Sequence, residues 1–489
     1  MGYNYAWLRN LRSFDLQRKD VNINAALASV KQLLVEEKSL SPAFRAAIEL
    51  LVLIVTLLSN RLGLDSTNSS KPPSTDPHRK RKEKKQGDKK PGGQPGHMGA
   101  TLKRVEKPDV IDKIEIDRRS LPRNMKYKEV GFEWRQVIDI EFKTVVTEYQ
   151  AQVLEDENGK RYTAPFPADV TRPVQYGTHL KAHAVYLSQF QLIPYQRIQD
   201  HFSDQWGIDL SVGSLCNFNG QVYELLERFD EIGANKLAES ELMHVDETSV
   251  NINGKRIWLH TASNDKWTQF RVHAKRGTIA TNEIGILPRF KGILCHDHHK
   301  PYFTYSCLHA LCNGHHLREL ERAWEQDKFT WAQRMQALLN EINTAVHAAG
   351  GQLSFDTAED YRRVYRKILA EAETECPPPD KALHVGKRGR QKRSKARNLL
   401  ERLMNFETEV LRFMENPIVP FTNNLAENDL RMTKVQQKIS GCFRSLEGAH
   451  IFCRIRGYLI TCRKHGIGPS EALKILFRGE LPAFCFQKC

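Results

Sequence analysis

No cysteine occurs before Cys216, and none of the ten cysteines stands in a Cys-x-x-Cys pair. That spacing argues against a disulfide framework, so the thiols are expected to be reduced, as in a cytosolic chain. Long apolar runs are missing as well. Nothing reaches the roughly 18 uninterrupted apolar residues of a membrane span, and the nearest run, 50–58, is far shorter. No secretory leader is read, and no membrane partner is expected. Acidic charge is the scarcer sign: 58 Asp and Glu face 73 Lys and Arg, a net +15. The excess favours a polyanionic partner, because neutralising phosphates releases counterions and gives strong, salt-sensitive binding.

What is present divides the chain. Its 489 residues allow about three domains, and the patterns predict a multidomain α+β protein. Residues 1–65 read as helical, with Ile48, Leu51, Val52, Val55 and Leu58 at helical spacing. Fewer than three clean heptads make core packing a better reading than a coiled coil. Residues 66–107 hold Asn68-Ser69-Ser70-Lys71-Pro72-Pro73-Ser74 and Arg79-Lys80-Arg81-Lys82-Glu83-Lys84-Lys85. Such composition cannot bury a core and predicts a flexible basic linker whose Lys80, Arg81 and Lys82 lie along a DNA backbone, with a solvated tail as the alternative. Residues 108–175 alternate apolar and polar positions, as in Val137-Ile138-Asp139-Ile140-Glu141-Phe142, and predict a small β-rich unit turning near Asn158-Gly159.

Residues 176–235 have a helix-turn-helix outline: Ile193-Pro194 starts a helix, Gly207 breaks it, and Asp209 or Ser211 caps the next. The second helix would expose Ser214, Asn217, Asn219 and Gln221 to base edges or phosphates, although any αα-hairpin shares the outline. From 241 to 297 the order is three strands, the first two joined by the type I′ signal Asn253-Gly254, then a helix over 278–287 and a mostly apolar fourth strand, 292–297. Three antiparallel strands, a crossover helix and a parallel strand give the ribonuclease-H-like plan. There the first and fourth strands are neighbours, which would bring together Asp246 and Asp297, 51 positions apart.

Those two aspartates and Glu427, which opens a helix after Asn423-Asn424, suit a pair of divalent ions. Magnesium prefers hard oxygen ligands and keeps positions open for phosphate oxygens and an attacking hydroxyl. At 100° per residue, Glu427, Arg431, Lys434 and Lys438 share one helix face, so a lone acid sits among bases that could grip phosphates. Leu425, Met432, Val435 and Ile439 form an apolar stripe on another face, expected to pack on the sheet. A surface ion pair from Glu427 to Arg431 is the plainer alternative.

At this point the sequence resembles a known family, the insertion sequence sixty-six transposases, which are DDE-type enzymes. The motifs are Gly92-Gly93-Gln94-Pro95-Gly96-His97, His244-Val245-Asp246-Glu247-Thr248, His296-Asp297 with Lys300-Pro301-Tyr302, Cys312-x-x-His315-His316-Leu317-Arg318-Glu319-Leu320, and Asn423-Asn424-x-Ala426-Glu427-x-x-Leu430-Arg431, in family order. The resemblance implies a DNA transposase that cuts element ends and transfers the 3′-hydroxyl strand into target DNA. Asp246, Asp297 and Glu427 would be its catalytic triad, holding two Mg2+ ions or Mn2+ in their place. It implies a split core, 236–310 and 421–468, around a helical insertion, 311–420, with 469–489 as a C-terminal segment. In the insertion, the run Lys387-Arg388-Gly389-Arg390-Gln391-Lys392-Arg393 reads as a DNA contact through Arg388, Arg390 and Arg393, with a solvated loop as the alternative. Cys312, His315 and His316 would be structural beside the site, with zinc binding there as an alternative for which the spacing supplies too few ligands. The chain departs from the family in lacking the cysteines of a zinc module, so residues 108–175 stand at a degenerate module position and zinc is not expected. The expected partners are double-stranded DNA at element ends and target, a second copy when ends are paired, and accessory proteins, in a bacterial, nucleoid-associated setting. Two alternatives remain: a histidine-rich metal phosphohydrolase built on His296, His298, His299, His309, His315 and His316, and a non-catalytic DNA-binding regulator.

Overall fold

In the computed structural model, the described residues are 23–37, 39–62, 64–65, 68–69, 102–140, 143–379, 391 and 393–487. Most of the expected linker, with Lys80, Arg81, Lys82 and the Gly92–His97 motif, and Arg388 and Arg390 of the insertion lie outside them. The chain forms two compact units: Met1–Lys80, Tyr176–Tyr195 and Gly213–Cys489 in one, Arg81–Gln175 and Gln196–Val212 in the other.

In the first unit, helices α1 (Ile23–Glu36) and α2 (Pro42–Leu62) pack as a hairpin on Leu34. No residue of α2 is buried. The run at 50–58, which already includes Thr56, is preceded in α2 by Ala43, Ala46, Ala47 and Ile48, which a helix accepts beside leucine. By length and composition α2 is therefore apolar enough to cross a membrane, a correction to the length argument above.

The second unit carries a hairpin, β1 (Val153–Glu155) with β2 (Arg161–Thr163), whose turn falls at the expected Asn158-Gly159. There the Asp156 carboxylate accepts the N–H groups of Asn158 and Lys160, and Gly159 has φ of 77°. The broader β unit is corrected: no other strand forms among the described residues of 108–175, and none of these residues is buried. The apolar positions at Val137 and Ile138 stay exposed, because alternation yields a strand only where a neighbour takes up the backbone hydrogen bonds.

After α3 (Thr178–Val185), helix α4 spans Tyr195–Trp206, Gly207 turns at φ of 64°, and α5 spans Val212–Leu225. The unit boundaries fall at the starts of α4 and α5, after Tyr195 and after Val212, so α4 belongs largely to the second unit and α5 to the first. Helix α6 (Glu227–Ala238) leads into the central sheet.

That sheet has the order β5-β4-β3-β6-β7: β3 (Leu242–Ile252), β4 (Lys255–Ser263) and β5 (Thr268–His273) pair antiparallel, while β6 (Ile293–His296) and β7 (Leu308–Leu311) add parallel to β3. Asn253 and Gly254 both have positive φ, 47° and 80°, as the β3–β4 turn requires. The crossover helix α7 (Thr278–Ile284) is one turn shorter than expected, since Gly285 stops it in the left-handed conformation. Strand β7 was not expected; its four residues offer no alternation to read. At the mouth of β6 the backbone passes so close to β3 that a Cβ at Gly292 would run into the carbonyl oxygens of Ser240 and Glu241.

The insertion is helical: α8 (Asn313–Asp327), α9 (Thr330–Ala348), α10 (Phe355–Glu375), α11 (Lys395–Asn405) and α12 (Glu407–Leu411). Their apolar faces gather around Trp331, Leu339, Tyr365, Leu399 and Leu411 and reach Ile293, Cys295 and Leu311 of the sheet, so the insertion shares a core with β6 and β7. Chain returning from it forms α13 (Asn424–Ser440), α14 (Leu446–Lys464) and α15 (Pro469–Phe477). A second core joins Val250, Leu259, Phe270 and Val272 of the antiparallel strands to Leu430, Ala449 and Phe452 of α13 and α14. On α13 the buried positions are Ala426, Leu430 and Thr433, a stripe turned from the expected one; of the latter, Met432 and Val435 pack on the core while Ile439 is exposed.

Candidate active site

Strand pairing brings the two aspartates together. Leu242 pairs with Ile293 and His244 with Cys295; two residues further, at the same offset, stand Asp246 and Asp297. Asp246 Oδ1 accepts the Glu247 N–H at 2.8 Å, and Asp297 Oδ1 accepts the His299 N–H at 3.1 Å. Burial, and then the negative charges of Asp297, Glu247 and Glu427, push the Asp246 carboxyl well above the usual carboxylate range. Among the described residues neither aspartate pairs with a lysine or arginine.

Glu247, one step along β3, points the other way, as strand alternation requires. Its buried carboxylate receives Arg276 Nε at 2.7 Å and the Tyr302 hydroxyl, so this acid is fully employed. Tyr302 is fully buried, and burial with the neighbouring Glu247 raises its hydroxyl well above the ordinary tyrosine range.

Glu427 lies in the first turn of α13, and the start of that helix is pinned by a buried side chain. Asn423 Nδ2 donates to the Val245 carbonyl at 2.8 Å, its Oδ1 meets His244 Nδ1 at 2.8 Å, and its backbone N–H reaches Cys312 Sγ at 3.1 Å. One residue thus fixes α13 beside Asp246 and against the start of α8. Further along, Asp429 accepts from Thr268 Oγ1 at 2.9 Å and pairs with Lys464 at 3.3 Å, which ties α13 to β5 and α14. Glu427 Oε1 stands 3.8 Å from Cys312 Sγ and 3.6 Å from His315 Nδ1.

The remaining expected residues scatter. Arg431 is exposed one turn beyond Glu427, and Lys438 is exposed near the end of α13. Lys434 is not: its ammonium donates to the Ser249 carbonyl at 2.6 Å, and burial lowers it from the ordinary lysine range. Arg393 pairs with Glu401, which holds it against α11. On α5, Asn217 is exposed and Ser214 half-buried. Asn219 is corrected from an exposed position to a buried one, because it accepts from Ser188 Oγ at 3.2 Å and donates to Tyr195 at 2.9 Å. His316 turns from the acids to Asn313 Oδ1 at 3.0 Å.

The histidines do not converge on one ion. His296 meets His309 at 3.1 Å inside an aromatic cluster with Tyr302 and Phe303. His298 packs edge-on against Phe303 and Phe406. Asn423, Glu247, Arg276 and Tyr302 received no role from the sequence, though Asn423, Glu247 and Tyr302 stood in quoted motifs. Arg318, whose charge reaches His315, also went unread; its Nε is buried without a hydrogen-bond partner.

A comparison with family models decides the relationship: residues 173–451 match the model described as Transposase IS66 family. The chain belongs to that family. Residues 16–103 of this IS66-family chain match a family of unknown function (DUF6444), which covers α1, α2 and the basic stretch after them. A curated relative, the uncharacterized protein y4jO of Sinorhizobium fredii, is 38% identical over 69 residues, 14% of this chain and 22% of that protein. The chain thus spans about a fifth of that relative's length.

Proposed function

We propose that this IS66-family chain is a DDE transposase with a ribonuclease-H-like core, which cuts the ends of its element and joins the freed 3′-hydroxyl to target DNA. The convergence of Asp246, Asp297 and Glu427 carries the reading. Supporting it are the parallel pairing of β6 beside β3 and the crossover helix between them. Asp246 and Asp297 would hold two Mg2+ ions, or Mn2+, with Glu427 completing one site. The donor set fits: all ligands are oxygens, the aspartates lack cationic side-chain partners among the described residues, and their mutual repulsion is what a bound cation relieves. When bound, such a pair activates the attacking oxygen and stabilises the leaving one in an in-line displacement.

The chain's own residues do the rest. Asn423 orients the Glu427 helix, Glu247 with Arg276 and Tyr302 braces β3 from behind, and exposed Arg431 and Lys438 would meet phosphates. Outside this core, α5 would meet DNA through Ser214, Asn217 and Gln221, without Asn219. End pairing by a second copy belongs to the same proposal. The histidine-rich phosphohydrolase loses its support, since His296 and His298 are spent on aromatic packing.

The test is a metal-dependent nicking and joining assay on end DNA. Asp246→Asn or Asp297→Asn should lower both reactions by about a thousandfold or more, the loss of several kcal/mol of charge stabilisation, while end binding persists in a gel shift. Strand transfer retained by either variant overturns the assignment.

A further inference from the structure

We propose that Cys312, His315 and Glu427 form a separate site for a soft divalent cation such as zinc, beside the aspartate pair and distinct from it. The proposal rests on the reading above only in that Glu427 serves both. Among the described residues this is the one group of three His, Cys, Asp or Glu side chains whose ligand atoms all lie within 4.8 Å of one another. The sequence could not supply it, because Cys312 and His315 are too few ligands and the third lies 115 positions beyond Cys312.

The geometry is close to a finished site. Tetrahedral zinc, with bonds near 2.3 Å to sulfur and about 2.0–2.1 Å to nitrogen and oxygen, sets its ligand atoms about 3.3–3.6 Å apart. Glu427 Oε1 lies 3.6 Å from His315 Nδ1 and 3.8 Å from Cys312 Sγ, and all three ligand atoms lie within 4.8 Å of one another, so side-chain rotations that shorten these separations complete the set. His315 Nδ1 is buried and has no hydrogen-bond partner. The sulfur lies at the start of α8 and accepts the Asn423 N–H at 3.1 Å. When the metal–sulfur bond forms, the thiol proton leaves to solvent and the charge balance closes. A mixed sulfur, nitrogen and oxygen set selects zinc or cobalt over magnesium.

The position gives the ion a task. Cys312 and His315 begin the helical insertion, and Glu427 follows its end, so one cation staples the two ends together and fixes the carboxylate on α13. Both contacts are to Oε1, which leaves Oε2 for the aspartate pair. The fourth position is left for water.

The probe is Co2+ added to the metal-stripped full-length chain, read by absorption. A thiolate-to-cobalt charge-transfer band saturating at one ion per chain is expected; Cys312→Ser should remove it, and His315→Ala should weaken binding at least about tenfold. Cys312→Ser retains an acceptor for the Asn423 N–H, and the wild-type spectrum alone decides the matter should a variant fail to fold. No band in the wild type, or an unchanged band in Cys312→Ser, overturns the proposal. Asp246→Asn should keep the band; its loss there would assign the ion to the aspartate set and also overturn the separate site. If Asp246→Asn keeps both the band and nicking, the catalytic reading fails and this one stands.

Discussion

Single residues on this chain divide into acids with partners and acids without. Glu247 and Asp246 are neighbours on β3, yet one is held by Arg276 and Tyr302 and the other, apart from one backbone N–H, faces more negative charge. The residue that creates the second environment is Asn423, whose amide hydrogen bonds replace two that water would otherwise make. Its replacement by leucine would strand the Val245 carbonyl and the His244 ring nitrogen in a buried place. We expect Asn423→Leu to cost about 2–4 kcal/mol, measured by urea unfolding, with nicking reduced beyond what the lost folded population explains. A cost below about 1 kcal/mol would show that α13 is held elsewhere. Nothing in the sequence announced this, since His244 lies 179 positions from its partner. Asn219 was misread for a related reason: short polar side chains on a helix look alike whether they face solvent or, as here, Ser188 and Tyr195.

Among elements, those with strong local signals were legible. The β3–β4 hairpin was announced by Asn253-Gly254, and β6 by an apolar run ending at an acid. Strand β7 and the buried stripe of α13 were not, because four residues carry no period and because Ala426 and Thr433 are weakly apolar packing residues. The insertion shows what else sequence patterns miss. Arg362 of α10 pairs with Glu407 at 3.0 Å and with Glu415, and Arg366 joins Glu407 at 2.8 Å, stitching α10 to α12 and the chain beyond it. Burial pushes the Glu407 carboxyl up, but hydrogen bonds from Arg366 and Arg362 more than offset this and hold it below its ordinary 4.5. A carboxyl depressed in the folded state adds stability that is complete above its unfolded range and is lost as pH falls below about 4.5. Arg362→Gln should therefore destabilise the chain by about 1–3 kcal/mol at neutral pH and flatten the acid limb of its melting temperature against pH. An acid limb as steep as in the unaltered chain would mean that Glu407 titrates without regard to Arg362.

For the whole molecule, the proposed DNA binding and the proposed chemistry are separable because they draw on different charges. The net +15 is the excess of 73 bases over 58 acids, spread along the chain, while the proposed reaction needs three acids, on β3, just past β6 and on α13. Non-specific affinity for DNA follows the number of phosphates neutralised, with a slope of about −0.9 per contact in log affinity against log salt. If the basic cluster around Lys80, Arg81 and Lys82 lies along the duplex, changing all three to glutamine should shallow that slope by about 2–3, without altering cleavage of end DNA once it is saturated. Asp246→Asn, in contrast, removes one negative charge and should leave the slope unchanged while cleavage disappears. Titrations by fluorescence anisotropy across a salt series distinguish the cases. A slope that survives loss of the three bases would move the phosphate contacts to the core, to Arg431 and Lys438 on the exposed side of α13.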